Sequence, residues 1–310
     1  MNLRQLKYFI GVIEAGNMTR AAERLNVAQT ALSMQIRQLE ENLGVPLLVR
    51  HSRGIEPTEA GKLLHSRAAA ILKQVDDTRR DVSAAGAEIH ERIRFGITPA
   101  LMLSVGSDLI VRVRETMPQV SMSLLEAMSH ILIDSLQRGE LDYALCYDAP
   151  DVPHLARRAF LQEDLVFVTL PGPERGKRIA LVDVLDETLA MPEPADTVRQ
   201  AVSRAGREMG LELNVTYEVR SISAMKNLAL KGVAGSVLPF ASVSEEVRNG
   251  LLDARPIAMP PIRRTLYLVS SSQGPELRSD AAVTVAVRES IAILLELLGP
   301  LAHPLWIRAS

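Results

Sequence analysis

Apolar and polar positions follow a helical pattern most clearly near the amino terminus, in the stretch TRAAERLNVAQTALSMQIRQLEENLG (residues 19–44). At about 100° of rotation per residue, four apolar side chains of its second half fall on one narrow stripe, which we predict to be buried. They are Leu32, Ile36, Leu39 and Leu43. The opposite stripe, which we predict to be open to solvent or to a partner, carries Thr30, Met34, Arg37 and Glu41, with Ser33 on its flank.

A shorter helix with a small apolar face is predicted just before it. Thr19 is suited to cap the amino end of this helix, and Asn26 can adopt the left-handed conformation that ends one. Upstream, apolar residues at helical spacing predict a third helix that covers the other two: Leu3, Leu6, Phe9, Ile10 and Ile13. Three helices with a tight turn before the last predict a helix-turn-helix, a motif that places its second helix in a DNA major groove. A helical hairpin in the core of an unrelated domain is the alternative.

The segment VPLLVRHSRGIEPTEAG (residues 45–61) predicts a strand, a basic turn and a return, which together would form a wing beside the helices. Arg50 and Arg53 belong to this turn. Either arginine could neutralise a phosphate or enter a minor groove, where the negative potential is concentrated. Solvated surface charges are the alternative. A wing at this place favours the helix-turn-helix interpretation.

From Thr58 to about Ser83 the pattern predicts one long helix. Its stripe has positions spaced alternately four and three residues apart: Leu64, Ala68, Ile71, Val75, Thr78 and Val82. A stripe of this period is typical of a helix that packs along a partner helix, and it fits an antiparallel or parallel dimer seam. Packing on its own domain is equally compatible with the spacing. A dimer would present two DNA-binding heads to the two half-sites of a near-palindromic operator.

The rest of the chain alternates strand-like and helix-like segments. The strand-like segments are IRFGI, VSMSLLEA, LDYALCY, EDLVFVTL, LAMPEP, VTYEV, VAGSVLP and TLYLVSS. Such alternation predicts a parallel α/β sheet in each of two lobes, with TLYLVSS returning the chain to the first lobe. A small ligand is expected in the cleft between the lobes, at the carboxyl ends of the strands.

Composition and charge narrow the class of protein. The 310 residues are 47% hydrophobic, enough to fill two or three domains. The absence of a long apolar run and of a signal-peptide pattern predicts a soluble cytoplasmic protein. Residues 1–75 hold 10 Lys or Arg against 6 Asp or Glu, whereas the remaining 235 residues hold 25 against 31. A basic amino-terminal part on an acidic body indicates an anionic partner.

Candidate catalytic and metal-binding patterns are weak. The single cysteine, Cys146, excludes an internal disulfide and lies in the apolar run YALCY, so we predict a buried thiol. No G-x-S-x-G, P-loop or dinucleotide turn occurs, and the six histidines lack metal-ligand spacing. His130 and Asp134 are interpreted as a solvated pair on a helix surface. We therefore predict no enzyme, no metal and no cofactor; a transport binding protein would explain the lobes but not the head.

In their order, TRAAERLNVAQTALSMQIRQLEENLG, PLLVRHSRG and PTEAG resemble the DNA-binding head and linker helix of the LysR-type transcriptional regulators, and the resemblance extends over essentially the whole chain. MNLRQLKYF and RGIEPTEAGK are similar to the branch around the nitrogen assimilation control regulator. The implied fold is α/β, with an all-α-type winged helix-turn-helix head and a two-subdomain sensor similar to periplasmic binding proteins, joined by a long linker helix.

The implied domains are a winged helix-turn-helix at 1–58, a linker and dimerisation helix at 59–90 and an α/β effector-binding domain at 91–300. Within the last, subdomain I is expected at about 91–162 and 266–300, and subdomain II at about 163–265. The resemblance also implies a homodimer through the linker helix and a homotetramer through the sensors. Its implied partners are operator DNA, a small-molecule effector and RNA polymerase, with no membrane.

The resemblance assigns roles in DNA binding to Thr19, Gln29, Thr30, Ser33, Met34, Arg37, Arg50 and Arg53. In this assignment residues 29, 30, 33 and 34 face bases, Arg37 approaches the DNA backbone, and the other two arginines serve the wing. Two positions depart from the family: Thr30 stands where Pro is usual, and Met34 where Arg or Gln is common. Met34 cannot donate a bidentate pair to guanine, but it can pack on a thymine methyl group.

For the sensor, the implied effector is expected to be anionic. Candidate contacts are Thr98, Leu101, Ser129, Thr197 and Ser221. Hydroxyls at helix amino termini suit a carboxylate or another anion, although simple N-capping explains each of them as well. Thr98 and Thr197 are favoured because matching positions in the family commonly face the inducer. A cleft filled by Leu101, Met102, Leu103 and Val105 would leave little room for a ligand.

Overall fold

The computed structural model of the protein describes residues 1–51, 54–84, 91–271 and 277–305. The chain divides into two compact units, an amino-terminal one and a C-terminal domain. Among the described residues, no helix is both long enough and apolar enough to cross a membrane.

The amino-terminal unit is a winged helix-turn-helix followed by a long helix. Its helices are α1 (Leu3–Ala15), α2 (Met18–Leu25), α3 (Gln29–Leu43) and α4 (Glu59–Ala84), and its strands are β1 (Leu48–His51) and β2 (Gly54–Pro57). The predicted apolar stripes meet in one core, which includes Phe9, Val12, Ala21, Ala22, Leu32, Ile36, Leu39 and Leu47. The small side chains of α2 in this core allow close helix packing.

Two local predictions for these helices are wrong. Leu43 is 38% exposed, because it is the last residue of α3 and extends past the head core. The N-cap of α2 is Asn17 and not Thr19: its Oδ1 accepts hydrogen bonds from the backbone N–H groups of Thr19 (2.8 Å) and Arg20 (3.3 Å). The left-handed end of α2 at Asn26 is confirmed, with φ of 58°.

The predicted wing is the antiparallel hairpin of β1 and β2, in which His51 stands opposite Gly54. Arg53, predicted in its turn, lies outside the described residues. For Arg50 in β1 and Val82 in α4, the structure describes the backbone and not the side chain.

Hydrogen bonds from two directions hold the wing on the helices. Oε1 of Glu40 in α3 accepts from the backbone N–H groups of Leu47 (2.7 Å) and Leu48 (3.1 Å). The backbone N–H of Ile55 donates to the carbonyl oxygen of Gly16 at the end of α1 (2.9 Å). The wing therefore keeps a defined position relative to α3.

The long helix α4 begins where the sequence predicts. Oγ1 of Thr58 accepts a hydrogen bond from the backbone N–H of Gly61 (3.0 Å) and caps the helix. Ala68 is buried and Leu64 packs against the head core, so this end of the predicted stripe packs on its own unit. The neighbouring Leu63 is not packed in this core, and 62% of it is exposed to solvent.

The C-terminal domain contains the remaining elements. Its strands are β3 (Glu91–Ile97), β4 (Val120–Glu126), β5 (Tyr143–Tyr147), β6 (Leu155–Asp164), β7 (Val166–Thr169), β8 (Ile179–Ala180), β9 (Ala190–Met191), β10 (Tyr217–Glu218), β11 (Ser236–Leu238), β12 (Asp253–Ala258), β13 (Arg263–Ser271) and β14 (Ala302–Pro304). Its α-helices are α5 (Pro99–Leu101), α6 (Ser107–Thr116), α7 (Ser129–Gln137), α8 (Leu181–Leu185), α9 (Thr197–Glu208), α10 (Ile222–Leu230), α11 (Ser244–Arg248) and α12 (Asp280–Leu298). A π-helical turn (Met102–Gly106) joins α5 to α6, and 3-10 turns lie at Phe240–Ser242 and Gly299–Leu301.

Two lobes divide these elements. Within the described residues, lobe I has a six-stranded sheet in the order β14-β6-β13-β5-β3-β4, covered by α6 and α12 on one face and by α7 on the other. Lobe II has a four-stranded sheet in the order β11-β7-β12-β8 and the parallel pair β10-β9. The chain leaves the sheet of lobe I at Asp164 and returns to it at Arg263.

The lobes differ from the predicted parallel sheets. In lobe I, β3 runs parallel to β4 and β5, but β13 is antiparallel to both β5 and β6. This pairing arises because β6 takes the chain out to lobe II and β13 brings it back beside β6. The sequence pattern does not predict β6, because the first half of this strand is mostly exposed and lacks apolar alternation.

Gly61 sets how closely α4 approaches the start of the wing. A Cβ atom at this position would lie 2.1 Å from the backbone oxygen of Leu47. Replacing Gly by Ala inside a helix ordinarily stabilises a protein by about 0.5–1 kcal/mol. Here we expect Gly61→Ala to lower the free energy of unfolding by about 1–3 kcal/mol, measured by urea denaturation of the full chain.

The matched control is Gly172→Ala, where an added Cβ meets no atom within 4 Å. This change should alter the free energy of unfolding by less than about 0.5 kcal/mol. Equal effects of the two substitutions would show that α4 does not approach the wing as closely as described.

Candidate functional site

The outward face of α3 is an accessible polar strip, as the sequence predicts. The recognition strip consists of Gln29, Thr30, Met34 and Arg37, which are exposed, and Ser33, which is half-buried. Met34 is 54% exposed, although a side chain of this kind is stabilised by burial. The same helix keeps Leu32, Ile36 and Leu39 on its opposite face. The strip is therefore presented outward by a helix that is anchored firmly on its other side.

The amino end of α3 also faces outward without a side-chain cap. Its N-cap residue is Ala28, which makes no capping hydrogen bond. The first backbone N–H groups of a helix are unsatisfied by the helix itself, and they suit a phosphate oxygen. Thr19, predicted to contact DNA, is exposed in the first turn of α2.

The second candidate site is a cleft between lobe I and lobe II. It measures about 450 Å³, open solvent at its mouth included. Its apolar lining includes Met128, Pro192, Ile222, Met225, Leu238 and Pro239, and its polar lining consists of Thr98, Ser129, Asp196, Thr197 and Arg264. A mainly apolar wall with a few polar groups is typical of a small-molecule site.

Three of the predicted effector contacts meet in this cleft: Thr98, Ser129 and Thr197. Oγ1 of Thr98 is buried and has no hydrogen-bond partner among the described residues. Oγ of Ser129 accepts a hydrogen bond from the backbone N–H of Tyr147 (3.2 Å), which leaves its own hydrogen available to donate. The two lobe I hydroxyls can therefore bind a ligand without losing an existing bond.

Leu101 and Ser221 do not line the cleft, and their prediction as effector contacts is corrected. Leu101 is buried in the core of lobe I, because the π-helical turn and α6 continue its helix inward along the sheet. Ser221 is exposed and caps α10, with its Oγ accepting from the backbone N–H of Ala224 (3.3 Å). Ile222, one residue later, reaches the cleft instead.

The prediction that apolar side chains would crowd the cleft is also wrong, because the segment after Thr98 packs into the core of lobe I. Of the four side chains considered, Leu101 and Val105 belong to the core of lobe I, Met102 packs against that core, and Leu103 is 61% exposed. The space between the lobes is left to the smaller residues at the start of the helix, among them Pro99 and Ala100.

Arg264 also lines the cleft, although the sequence pattern did not predict it as a site residue. Its guanidinium donates from Nε (3.2 Å) and Nη2 (3.0 Å) to Oε2 of Glu163 and stacks 3.4 Å above the ring centre of Tyr147. Burial opposes its charge, but the carboxylate and hydrogen bonds of Glu163, together with Tyr147 and Asp196, outweigh burial and raise the pKa of Arg264. Strand alternation could have found it, because Arg264 and Leu266 share the inward face of β13 while Arg263 is exposed.

Asp196 was also missed. It is the N-cap of α9, and its Oδ1 accepts from the backbone N–H of Val198 (2.8 Å). Burial raises the pKa of Asp196, while that hydrogen bond and the charge of Arg264 act in the opposite direction. The sequence could have predicted the capping role of Asp196, because an Asp immediately before the predicted helix start at Thr197 is a strong N-cap pattern.

Cys146 is buried within β5, as predicted, and is 0% exposed. Burial raises the pKa of its thiol to about 12. The thiolate is the reactive form of cysteine, so this residue is inert near neutral pH.

Comparison with known families matches both units. The family described as "Bacterial regulatory helix-turn-helix protein, lysR family" matches residues 3–62, and the family described as "LysR substrate binding domain" matches residues 86–294. Together these matches cover the head, most of the C-terminal domain and the residues that form the cleft.

Individual proteins agree with this. The nitrogen assimilation regulatory protein nac of Klebsiella aerogenes is 34% identical over 278 residues, which are 88% of this chain and 90% of that protein. The hydrogen peroxide-inducible genes activator of Pectobacterium carotovorum subsp. carotovorum is 28% identical over 302 residues, 96% of this chain and 100% of that protein. The crystal structure of full-length CbnR complexed with its target DNA is 26% identical, with a TM-score of 0.62, and the match covers 94% of this chain and 100% of that one.

The buried pair beneath the cleft generates a stability prediction. Arg264→Met would leave Glu163 buried without its cation, and we expect a loss of about 3–5 kcal/mol in the free energy of unfolding, measured by urea denaturation. The double variant Arg264→Met with Glu163→Leu should recover most of this loss, because an apolar pair leaves no buried charge.

The neighbouring Arg263 provides the matched control. Its Nε donates to Oδ1 of Asp164 (2.6 Å), but its side chain is 45% exposed. Arg263→Met should therefore cost less than about 1 kcal/mol. Similar losses for the two single variants would contradict the special role of the buried pair.

Proposed function

Because this chain belongs to the LysR family of DNA-binding transcriptional regulators, we propose that the recognition strip of α3 reads the bases of its operator. The observation that carries this proposal is the strip itself: five side chains of mixed hydrogen-bonding character stand outward on a helix whose other face is buried. A helix of this kind in a helix-turn-helix lies in the major groove.

Individual roles follow from the chemistry of each side chain. Gln29 and Ser33 can donate to and accept from base edges, and Thr30 offers a hydroxyl and a methyl group. Met34 packs on a thymine methyl group, which predicts a preference for A·T pairs at its position. Arg37 binds a phosphate, and the uncapped amino end of α3 is suited to a separate phosphate. Arg50 and Arg53 extend the contact through the wing.

Assembly and location complete the proposal for the head. We infer a homodimer through α4 and a homotetramer through the C-terminal domains, which would place paired heads on paired half-sites and bend the DNA. The exposed Leu63 on α4 is available to such a partner. The regulator would act in the cytoplasm and alter contact with RNA polymerase.

The cleft is proposed to bind a small-molecule effector with an anionic group. Arg264 supplies the cation, and the hydroxyl of Thr98, which has no partner in the described part of the chain, supplies a hydrogen bond. Ligand contacts from both lobes would favour one arrangement of the lobes over another. The effector regulates the protein only by the difference between its affinities for the two arrangements.

Thiol oxidation is not the proposed signal, although one relative is a hydrogen peroxide-inducible genes activator. This chain has a single cysteine, and its thiol is buried. A redox-sensing cysteine is normally exposed and partly ionised at neutral pH, and Cys146 is neither.

The DNA-binding role is tested with DNA from the protein's own promoter region, by fluorescence anisotropy at two salt concentrations. Ser33→Ala should weaken specific binding by on the order of tenfold, the size of one base contact, and leave non-specific binding unchanged. Arg37→Ala should weaken specific and non-specific binding alike and reduce the salt slope by about 1, as expected for one lost phosphate contact.

The matched control for the lost cation is Arg178→Ala, an exposed arginine of lobe II. The Arg178→Ala variant should bind DNA with the same affinity as the wild-type protein. Wild-type protein that binds the promoter no better than unrelated DNA at either salt concentration would refute the regulator function.

Cys146 provides a separate test of the signal. Because burial raises the pKa of its thiol to about 12, the native protein should not react with a thiol reagent such as 5,5′-dithiobis(2-nitrobenzoate) at pH 7.5. One thiol should become reactive in guanidinium chloride, which serves as the positive control. Hydrogen peroxide should leave the affinity for DNA unchanged; a peroxide-dependent change that Cys146→Ser abolishes would reverse this conclusion.

A further inference from the structure

Two buried side chains of opposite charge line the cleft. Arg264 is 5% exposed and Asp196 is 8% exposed, and each influences the ionisation of the other. A third charge, Glu163, is fully buried, pairs with Arg264 and is not part of the lining. With both acids ionised, the three groups together carry one net negative charge.

This charge balance disfavours a simple anion. A bound carboxylate without a cationic group would add a second negative charge in a buried region, where charges interact more strongly than in water. A ligand that brings a cation to Asp196 as well as an anion to Arg264 adds no net charge. A simple amine would neutralise the site, but its ammonium group has no acceptor for the hydrogen bonds that Arg264 and Thr98 can donate.

Donors for a carboxylate are present on the lobe I side. Nη1 of Arg264 makes no hydrogen bond within the part of the chain that the structure describes, since both bonds to Glu163 come from Nε and Nη2. Oγ1 of Thr98 is buried, lines the cleft and is likewise without a partner among the described residues. A buried hydroxyl without a partner has a free-energy cost that a ligand oxygen would remove.

We propose that the cleft binds a zwitterion, an α-amino acid with an apolar side chain, whose carboxylate is held by Arg264 and Thr98 and whose ammonium group pairs with Asp196. The ligand's side chain would occupy the apolar part of the cleft, beside Met128, Ile222 and Met225. This inference rests on the proposed effector role of the cleft and narrows it to a ligand class.

Such a ligand would also connect the lobes. Thr98 belongs to lobe I, Asp196 precedes α9 of lobe II, and Arg264 lies on the returning strand β13. One small molecule bonded to all three would favour the arrangement in which they converge, which is the differential affinity that regulation requires.

The test is isothermal titration calorimetry of the full-length protein at pH 7.5 with five probes: L-valine, L-leucine, L-isoleucine, L-methionine and L-phenylalanine. Each amino acid that binds is then compared with the analogue that lacks its amino group and the analogue that lacks its carboxyl group. For L-leucine these are 4-methylpentanoate and 3-methylbutylamine. We expect at least one amino acid to bind, and both of its analogues to bind at least about thirtyfold more weakly, as for loss of one partner of a buried charge pair.

Asp196→Asn separates the charge of Asp196 from its structural role. Asparagine is as good an N-cap as aspartate, so α9 should be retained. The variant should bind the amino acid at least about thirtyfold more weakly, and bind the carboxylate analogue no more weakly than the wild type does. The control is Asp183→Asn, which removes an exposed carboxylate of α8 in the same lobe and should leave amino-acid binding unchanged.

Three outcomes would overturn the proposal: no heat with any of the five amino acids, equal affinity for an amino acid and its carboxylate analogue, or undiminished amino-acid binding by Asp196→Asn. Promoter binding is measured on the same preparation. A protein that binds its promoter but no amino acid refutes the zwitterion and leaves the regulator function intact, whereas loss of promoter binding refutes the function itself.

Discussion

The guanidinium of Arg264 is buried where the two strands that connect the lobes lie side by side. The organisation of the C-terminal domain depends on the neutralisation of this buried positive charge by Glu163. Arg264 and Glu163 are register partners on β13 and β6, and the ring of Tyr147 covers the guanidinium. An isolated charge at such depth would be too costly to keep. Because this ion pair joins β13 to β6, the two strands that connect the lobes, the cation of the cleft is held in place by buried groups and not by mobile surface side chains.

The head depends on a different constraint, the close approach of backbones. Gly61 lets α4 lie against the start of β1, and Glu40 joins the wing to α3 through two backbone N–H groups. Gly61 and Glu40 lie outside the recognition strip. They nevertheless decide where the recognition strip and the wing stand relative to each other, and therefore which grooves the head can contact together.

Regulation in such a protein is a coupling free energy between the cleft and the DNA-binding surface. The cleft has the arrangement that such coupling requires, because its polar groups come from lobe I (Thr98), from lobe II (Asp196) and from the connecting strand β13 (Arg264). A ligand that satisfies all three groups alters the balance between lobe arrangements. A ligand that satisfies one lobe alone binds without regulating.

The sequence by itself determined several elements and their faces: the buried stripe Leu32, Ile36 and Leu39, the left-handed turn at Asn26, and the positions of Thr98, Ser129 and Thr197 at starts of helices. Such features are local, since one element's periodicity reports one element's face. Only the tertiary structure decided which residues share a site. Arg264 and Glu163 are 101 positions apart, and Leu101 proved to be core although it follows the same strand as Thr98. Local pattern carries no information about which distant side chain compensates a buried charge, because that depends on how β6 and β13 pair after the chain has passed through lobe II.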